Sequence, residues 1–254
     1  MLTRFAANSD FRTIATEQSF GKSGGLPPME LRLKDGSKVT VQGIIDRIDT
    51  YENGEGLWLR VVDNKSSGKK PEPAKMEDGE QLQLMIYLKA ATAAFPGARP
   101  AGAFFFPVQD AEINAEETPE ALEAERMKKA RMKGLVNARE DVVRAMDRDL
   151  KPYSVDEVFT KNGDVRKGAD WAVEEDVLRG LMAAAEEKAA EICGGIREGR
   201  IDVRPRGKSE EDAPCRFCNY RTLCRRSRDS LTPRKEETTF RSLAGKNTLR
   251  EAEK

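Results

Sequence analysis

Two aspartates and a lysine form the first group of residues in the sequence that could carry out chemistry. Asp63 and Lys65 are two positions apart in a segment of alternating polarity, so both side chains should leave the same face of a β-strand. A turn-rich stretch, residues 51–56, joins this segment to an earlier one that contains Asp46. A symmetric hairpin about that turn would place the two aspartates opposite each other, with Cβ atoms about 4.5–5.5 Å apart.

This arrangement predicts a metal-dependent phosphodiester chemistry. Two carboxylates at that separation repel each other, so one must bind a proton or a cation must lie between them. Oxygen ligands that leave coordination positions open to water suit Mg²⁺ or Mn²⁺. Lys65 adds a positive charge that could stabilise the negative charge growing on a phosphate in the transition state. The short Asp-x-Lys pattern alone is also common in ordinary surface ion pairs.

Three clustered cysteines form a second group. Cys215, Cys218 and Cys224 fall within ten residues, a spacing that can hold a soft metal ion or an iron–sulfur cluster. Either site needs a fourth ligand, so a zinc ribbon and an iron–sulfur cluster both remain open at this point. The other cysteine, Cys193, lies beside an apolar helical stripe, and we expect it to be a packed core thiol.

The composition narrows the chemistry further. The 254 residues contain no histidine, which excludes serine–histidine catalysis, cysteine–histidine catalysis and histidine-ligated metals within this chain. The formal net charge is zero, which argues against a uniformly basic DNA-coating protein. No apolar run approaches the roughly 18 residues of a membrane span, and the sequence opens on no secretory signal. We expect a cytoplasmic protein with no membrane partner.

The elements that must position these residues follow from the apolar pattern, which predicts an α/β core over residues 29–108. Residues 29–65 alternate in polarity and predict a three-stranded antiparallel meander. Residues 79–95 predict a largely buried helix, and residues 101–108 predict a strand buried on both faces. Residues 1–28 predict an irregular lead-in with at most a short helix and no strand.

The second half of the chain has a different pattern. Residues 109–198 predict a long helical insertion, with a charged helix over about 118–150 and another over about 171–196. Residues 199–235 lack helical periodicity and contain the cysteine cluster within a basic segment. Residues 236–254 predict a flexible tail.

Four segments together resemble a known family. They are residues 43–49, 61–67, 81–88 and 214–225. They are similar to the RecB-type PD-(D/E)XK nucleases, above all to the C-terminal nuclease domain of AddB-type helicase–nuclease subunits. The resemblance implies a restriction-endonuclease-like α/β fold, in which helices flank a mixed central sheet and a cysteine-rich segment follows. It also implies a metal-dependent DNA exonuclease domain that acts in double-strand-break repair and recombination.

The resemblance implies a role for each candidate residue. Asp46 and Asp63 match metal-ligating carboxylates, the main-chain carbonyl of Asn64 a further ligand, Lys65 the catalytic lysine, and Gln83 and Tyr87 the helix motif that follows the active-site strands. Cys215, Cys218 and Cys224 match three ligands of a [4Fe–4S] cluster. Arg216, Arg221 and Arg225, among the basic residues around these cysteines, could contact DNA phosphates. The implied partners are DNA and an AddA-type helicase–nuclease subunit.

Two family ligands have no counterpart here, and other functions remain open. The first metal ligand and the fourth cluster ligand are missing, so we expect both to lie upstream of Met1. A CRISPR-associated adaptation nuclease shares the same core and cysteine set, although the long segment of residues 109–198 argues against it. A non-catalytic DNA-binding scaffold of the same fold is a further alternative, which the intact Asp46, Asp63 and Lys65 disfavour.

Overall fold

The fold is built on one mixed sheet. A computed structural model of the chain describes residues 7–66, 68–108, 118–148, 153–227, 230–235 and 237–245. The strands are β1 Arg12–Phe20, β2 Met29–Arg32, β3 Lys38–Val41, β4 Gly43–Asn53, β5 Gly56–Lys65, β6 Arg99–Pro107, β7 Lys133–Asn137, β8 Ala172–Val173, β9 Arg206–Gly207 and β10 Thr232–Pro233. Six of them form the central sheet in the order β1-β4-β5-β6-β7-β8. The β5–β6 and β7–β8 pairs are parallel and the others antiparallel, which confirms the predicted mixed sheet.

Helices cover both faces of this sheet. They are α1 Pro73–Asp78, α2 Gln83–Ala94, α3 Pro119–Lys129, α4 Glu140–Met146, α5 Glu175–Arg197 and α6 Arg221–Cys224, with a 3₁₀ turn at Pro214–Phe217. Leu59 and Val61 of β5 pack in the core beneath α2 and α5, whereas Trp58 and Val62 pack in a second core with α4. The alternation along β5 therefore assigns each side chain to one of two buried layers. None of the described helices is long and apolar enough to cross a membrane.

The expectation that residues 1–28 contain no strand is wrong, because β1 forms an edge of the central sheet. Its pairing with β4 supplies the backbone hydrogen bonds. Of its nine residues, Phe20 alone is buried, so the segment lacks the apolar alternation by which strands are recognised.

The predicted three-stranded meander divides into two sheets. Strands β2 and β3 pair only with each other, while β4 has β1 and β5 as its neighbours. The side of β4 along which β2 would have to pair is thus already taken by β1. The break falls at Gln42, before Gly43, where an added Cβ would lie 2.8 Å from the Phe20 ring. A short helix, α1, also occupies part of the stretch between β5 and α2 that lacked any predicted element.

The predicted single helix from 118 to 150 is also wrong. It begins as expected, with the Thr118 hydroxyl accepting a hydrogen bond from Ala121 N at 3.3 Å, but α3 ends at Lys129. Residues 133–137 then form β7 in the central sheet, because Gly134 allows a very close approach to β6. The apolar stripe at helical spacing joined residues of two different cores, because Leu135 of β7 packs beneath α2 and α5 whereas Val142 and Met146 of α4 pack in the second core.

The C-terminal tail is ordered in part. Residues 240–245 are helical, and Phe240, Leu243 and Ala244 are buried in the core beneath α2 and α5. Three apolar residues among many charged ones were too short a pattern to predict this packing. The expectation of a flexible tail is therefore wrong for these residues; residue 236 and residues 246–254 lie outside the described part of the chain.

Candidate active site

The predicted hairpin register is confirmed. Arg47 lies opposite Val62, and Asn53 lies opposite Gly56. Continued by one step, this register brings Asp46 of β4 beside Asp63 of β5, close enough for the charge of Asp46 to act on Asp63. The Asp46 Oδ2 atom accepts a hydrogen bond of 2.7 Å from the backbone N of Asn64, which ties the two strands together at this end.

A break in the strand pattern occurs at Asp46. Ile45 and Ile48 are both fully buried in the same core, although residues three apart in a regular strand face opposite sides. The alternation is therefore interrupted between them, at Asp46 and Arg47. Opposite the break, Glu17 of β1 has a φ of 48°, an uncommon left-handed conformation for a residue other than glycine. Simple strand parity does not reveal this irregularity, which is typical of functional sites.

Asp63 is a buried carboxylate that the protein only partly neutralises. The residue is 2% exposed, and its Oδ2 atom lies 2.5 Å from Lys65 Nζ. Burial raises the pKa of Asp63, the ion pair with Lys65 opposes that shift, and the charge of Asp46 adds to it. The resulting pKa lies above the usual range of an aspartate. A cation near Asp46 and Asp63 would remove this cost.

A chain of hydrogen bonds fixes Lys65. Lys65 Nζ donates to Gln83 Oε1 at 3.1 Å, and Gln83 Nε2 donates to Tyr87 Oη at 3.1 Å. Gln83 and Tyr87 are four residues apart on α2 and therefore share one helix face, as predicted. The Tyr87 ring meets Phe20 edge-on, with centroids 5.9 Å apart. The structure thus brings Asp46, Asp63, Lys65, Gln83 and Tyr87 together at one end of the sheet.

Sequence reasoning missed a second buried ion cluster, on the opposite face of the same two strands. Asp49 accepts hydrogen bonds of 2.8 Å from Arg60 Nε and from the Thr13 hydroxyl, and its Oδ1 lies 3.2 Å from Arg47 Nε. The Arg60 guanidinium also stacks 4.5 Å from the Phe11 ring centroid. An arginine within the apolar run of β5 was the available signal for this cluster.

The cysteine residues are not gathered into a ligand group. Cys218 and Cys224 are exposed, and Cys215 is partly buried with Arg226 Nε 3.1 Å from its Sγ atom. Within the described ranges, no three His, Cys, Asp or Glu side chains are arranged to hold a metal ion. Cys193 packs against the core, as predicted.

The arginines near the cysteines are accessible to solvent. Arg216, Arg221 and Arg225 are all exposed, and the Arg216 guanidinium lies 5.2 Å from the Phe217 ring centroid. Arg225 has a φ of 49°, which places it in the left-handed region. These positions are compatible with a contact to phosphates but do not define a groove for DNA.

Known proteins are similar to most of this chain. A family model described as the PD-(D/E)XK nuclease superfamily matches residues 1–225. The chain belongs to the PD-(D/E)XK nuclease superfamily. The order of elements in this PD-(D/E)XK domain, with Asp46 and Asp63-x-Lys65 on adjacent strands and Gln83 on the next long helix, is the one expected from the resemblance.

The PD-(D/E)XK domain is also similar to part of several longer bacterial proteins. One of them, from Moorella thermoacetica, is named as a subunit of an ATP-dependent helicase/deoxyribonuclease and is 36% identical over 234 residues, 88% of this chain. Proteins of the same name from Bacillus licheniformis and Bacillus mycoides are 34% identical over 88% and 96% of it. The chain spans 20% or 21% of the length of these relatives.

Proposed function

We propose that this chain hydrolyses DNA phosphodiester bonds with a divalent cation held by Asp46 and Asp63. The observation that supports this most directly is a buried, only partly neutralised carboxylate that faces a second carboxylate across a strand pair. The donors fit Mg²⁺ or Mn²⁺, because two carboxylates and the main-chain carbonyl of Asn64 offer hard oxygen ligands and leave other positions to water. When bound, the cation would polarise the phosphate and lower the pKa of a bound water.

The remaining residues would orient and stabilise the phosphate. Lys65 contacts Asp63 and would place its ammonium beside the charge that develops on the phosphate. Gln83 accepts from Lys65 and so holds the ammonium in one direction. The Tyr87 hydroxyl accepts a hydrogen bond from Gln83 Nε2 and so holds the other end of the amide, while the Lys65 ammonium, which can only donate, requires the amide oxygen to face it. In this proposal Lys65 is catalytic, and Gln83 and Tyr87 are positioning residues.

Substitution of Asp63 tests the proposal. Asp63→Ala should reduce Mg²⁺-dependent cutting of linear DNA by at least about 100-fold while the circular dichroism spectrum stays unchanged. Asp202→Ala is the matched control, since Asp202 is exposed and its side chain forms no hydrogen bond or salt bridge with a described residue. Undiminished cutting by Asp63→Ala would reject the assignment. Calorimetric titration with Mn²⁺ distinguishes the nuclease from the alternative of a non-catalytic scaffold, because the scaffold would bind no metal.

We further propose that the domain works within a helicase–nuclease of two subunits that repairs double-strand breaks in the cytoplasm. The names of the relatives support this, and they favour it over an adaptation nuclease. DNA would be the substrate and an AddA-type subunit the partner. Co-elution of this chain with such a subunit in size-exclusion chromatography would support the partnership, and separate elution of the two would count against a contact made by this domain.

We also propose that Cys215, Cys218 and Cys224 are ligands of a [4Fe–4S] cluster. Their spacing and the family resemblance support the proposal, whereas the described conformation does not bring the three thiols together. Iron and acid-labile sulfide should be measured after anaerobic purification, with Cys193→Ser as the control for a thiol in the core. Zinc in place of iron would favour a ribbon module, and neither metal would reject a site in this chain.

A further inference from the structure

Two lysines approach one aromatic ring beside the candidate active site. Lys65 Nζ lies 5.6 Å from the centroid of the Phe105 ring, and Lys69 Nζ lies 5.3 Å from the same centroid. Phe105 is 3% exposed and belongs to β6, which pairs with β5 so that Asp63 lies next to it. The negative face of the ring attracts both ammonium groups. The ring therefore holds the loop that follows β5 in a position that keeps the Lys69 ammonium close to Asp63.

The two lysines differ in their partners. The Lys65 ammonium already forms an ion pair with the Asp63 carboxylate and donates a hydrogen bond to the Gln83 amide. Lys69 is exposed and forms no salt bridge to any described residue, although its charge acts on Asp63. An ammonium that is positioned by a ring and lacks a carboxylate partner can accept a phosphate without first breaking an ion pair.

We propose that Lys69 is a substrate-binding residue that contacts a DNA phosphate adjacent to the bond being cut. This inference rests on the proposed nuclease function. In the metal-free protein, a phosphodiester that approaches the site meets the carboxylates of Asp46 and Asp63, and Lys65 is already paired with Asp63. Lys69 provides a further positive charge on the solvent side, and Phe105 keeps it near Asp63.

The adjacent Lys70 is a matched control. It has the same charge and is also exposed, but it lines a separate cavity of about 550 Å³ with residues such as Pro71 and Trp171. Among the described residues, the cations over the Phe105 ring are Lys65 and Lys69 and do not include Lys70. Lys69→Gln and Lys70→Gln therefore remove the same charge from neighbouring positions, one directed at the site and the other not.

Binding of a fluorescent 25-nucleotide single strand, measured by anisotropy in EDTA over a series of salt concentrations, tests the proposal without any cutting. Lys69→Gln should weaken binding about fivefold at low salt and reduce the slope of log K against log salt by about 0.7, for oligo(dT) and for a mixed sequence alike. Lys70→Gln should leave both unchanged, and Lys69→Arg should restore the slope. Because both positions are exposed, all three variants should unfold at the temperature of the wild type.

An unchanged slope for Lys69→Gln, or an equal loss for Lys70→Gln, would overturn the inference. Neither outcome depends on nuclease activity, which the Asp63→Ala experiment decides separately. In the steady state, the loss for Lys69→Gln should fall on KM for DNA, with kcat within about twofold of the wild type. A loss confined to kcat would contradict a binding role.

Discussion

Asp49 and Asp63 lie on the same two strands and have opposite electrostatic environments. Both are 2% exposed, and both meet cations from β5. Asp49 faces two arginines and a hydroxyl donor on one side of the sheet. Asp63, on the other side, has Lys65 as its single salt-bridge partner among the described residues and Asp46 as a like-charged neighbour.

The two aspartates are equally buried, but their pKa values shift in opposite directions. At Asp49, burial opposes ionisation, but the charges of Arg60 and Arg47, with the hydrogen bonds from Thr13 and Arg60, outweigh it and hold the pKa below the usual range. At Asp63, Lys65 does not outweigh burial and the pKa is raised. The charge of Asp49 is thus balanced by cations of the fold itself, and the cluster supports the fold. The Asp63 site is left short of positive charge, which is the condition for binding a cation from solution.

The largest effect on stability should come from breaking the Asp49 cluster. Asp49→Asn leaves the Arg60 guanidinium, whose side chain is 6% exposed, without its counter-charge and should lower the free energy of unfolding by about 3–5 kcal/mol. Urea denaturation measures this loss, with Asp202→Asn as an exposed control. A loss below about 1 kcal/mol would mean that solvent or a neighbouring group already compensates Arg60.

Asp63→Asn should have the opposite consequence. Because the ionised carboxylate is disfavoured in the folded, metal-free protein, its replacement by a neutral amide should leave the free energy of unfolding within about 1 kcal/mol of the wild type, or raise it. Lys65 loses its ion pair, but its side chain is 25% exposed and can be hydrated. Cutting should nevertheless be lost. Strong destabilisation by Asp63→Asn would show that the Lys65 pair is structural and would erase the contrast with Asp49.

The pH dependence of stability should distinguish the two clusters as well. The folded-state pKa of Asp49 is depressed, so its contribution is fully present above its unfolded pKa of about 3.9 and is lost as the pH falls through the lower folded value. The difference in unfolding free energy between the wild type and Asp49→Asn should therefore be constant near neutrality and shrink below about pH 4. A difference that grew on acidification would reverse the assigned direction of the shift.

The candidate site was more predictable from the sequence than the cluster on the opposite face. The hairpin turn and the alternation of β5 define the Asp46–Asp63 register locally, and a spacing of four on a helix brings Gln83 and Tyr87 together. The partners of Asp49 include Thr13 of β1, a strand whose sequence carries no apolar alternation. An edge strand specified by pairing with a distant segment leaves little local signal.

The helix predicted over about 118–150 failed for a related reason, whereas the helix predicted over about 171–196 is present as α5. Strand β7 is read as part of a helix because its apolar residues continue a helical spacing into α4. Only the close approach of Gly134 to β6 identifies it as a strand, and that contact joins residues about 30 positions apart. Tertiary packing overrides local periodicity here, whereas in the hairpin the two agree.

The smallest effect should come from the far end of the hydrogen-bond chain on the candidate active-site face. Tyr87→Phe keeps the edge-on contact with Phe20 and removes only the hydroxyl that accepts from Gln83. One such hydrogen bond is worth about 0.5–1.5 kcal/mol, so kcat should fall about three- to tenfold while KM stays constant, because Lys65 is less well held but not removed. Tyr51→Phe is the matched control, since Tyr51 packs near Phe11 in the second core and should leave kcat unchanged. Equal effects at the two tyrosines would mean that Tyr87 acts through general packing rather than through Gln83.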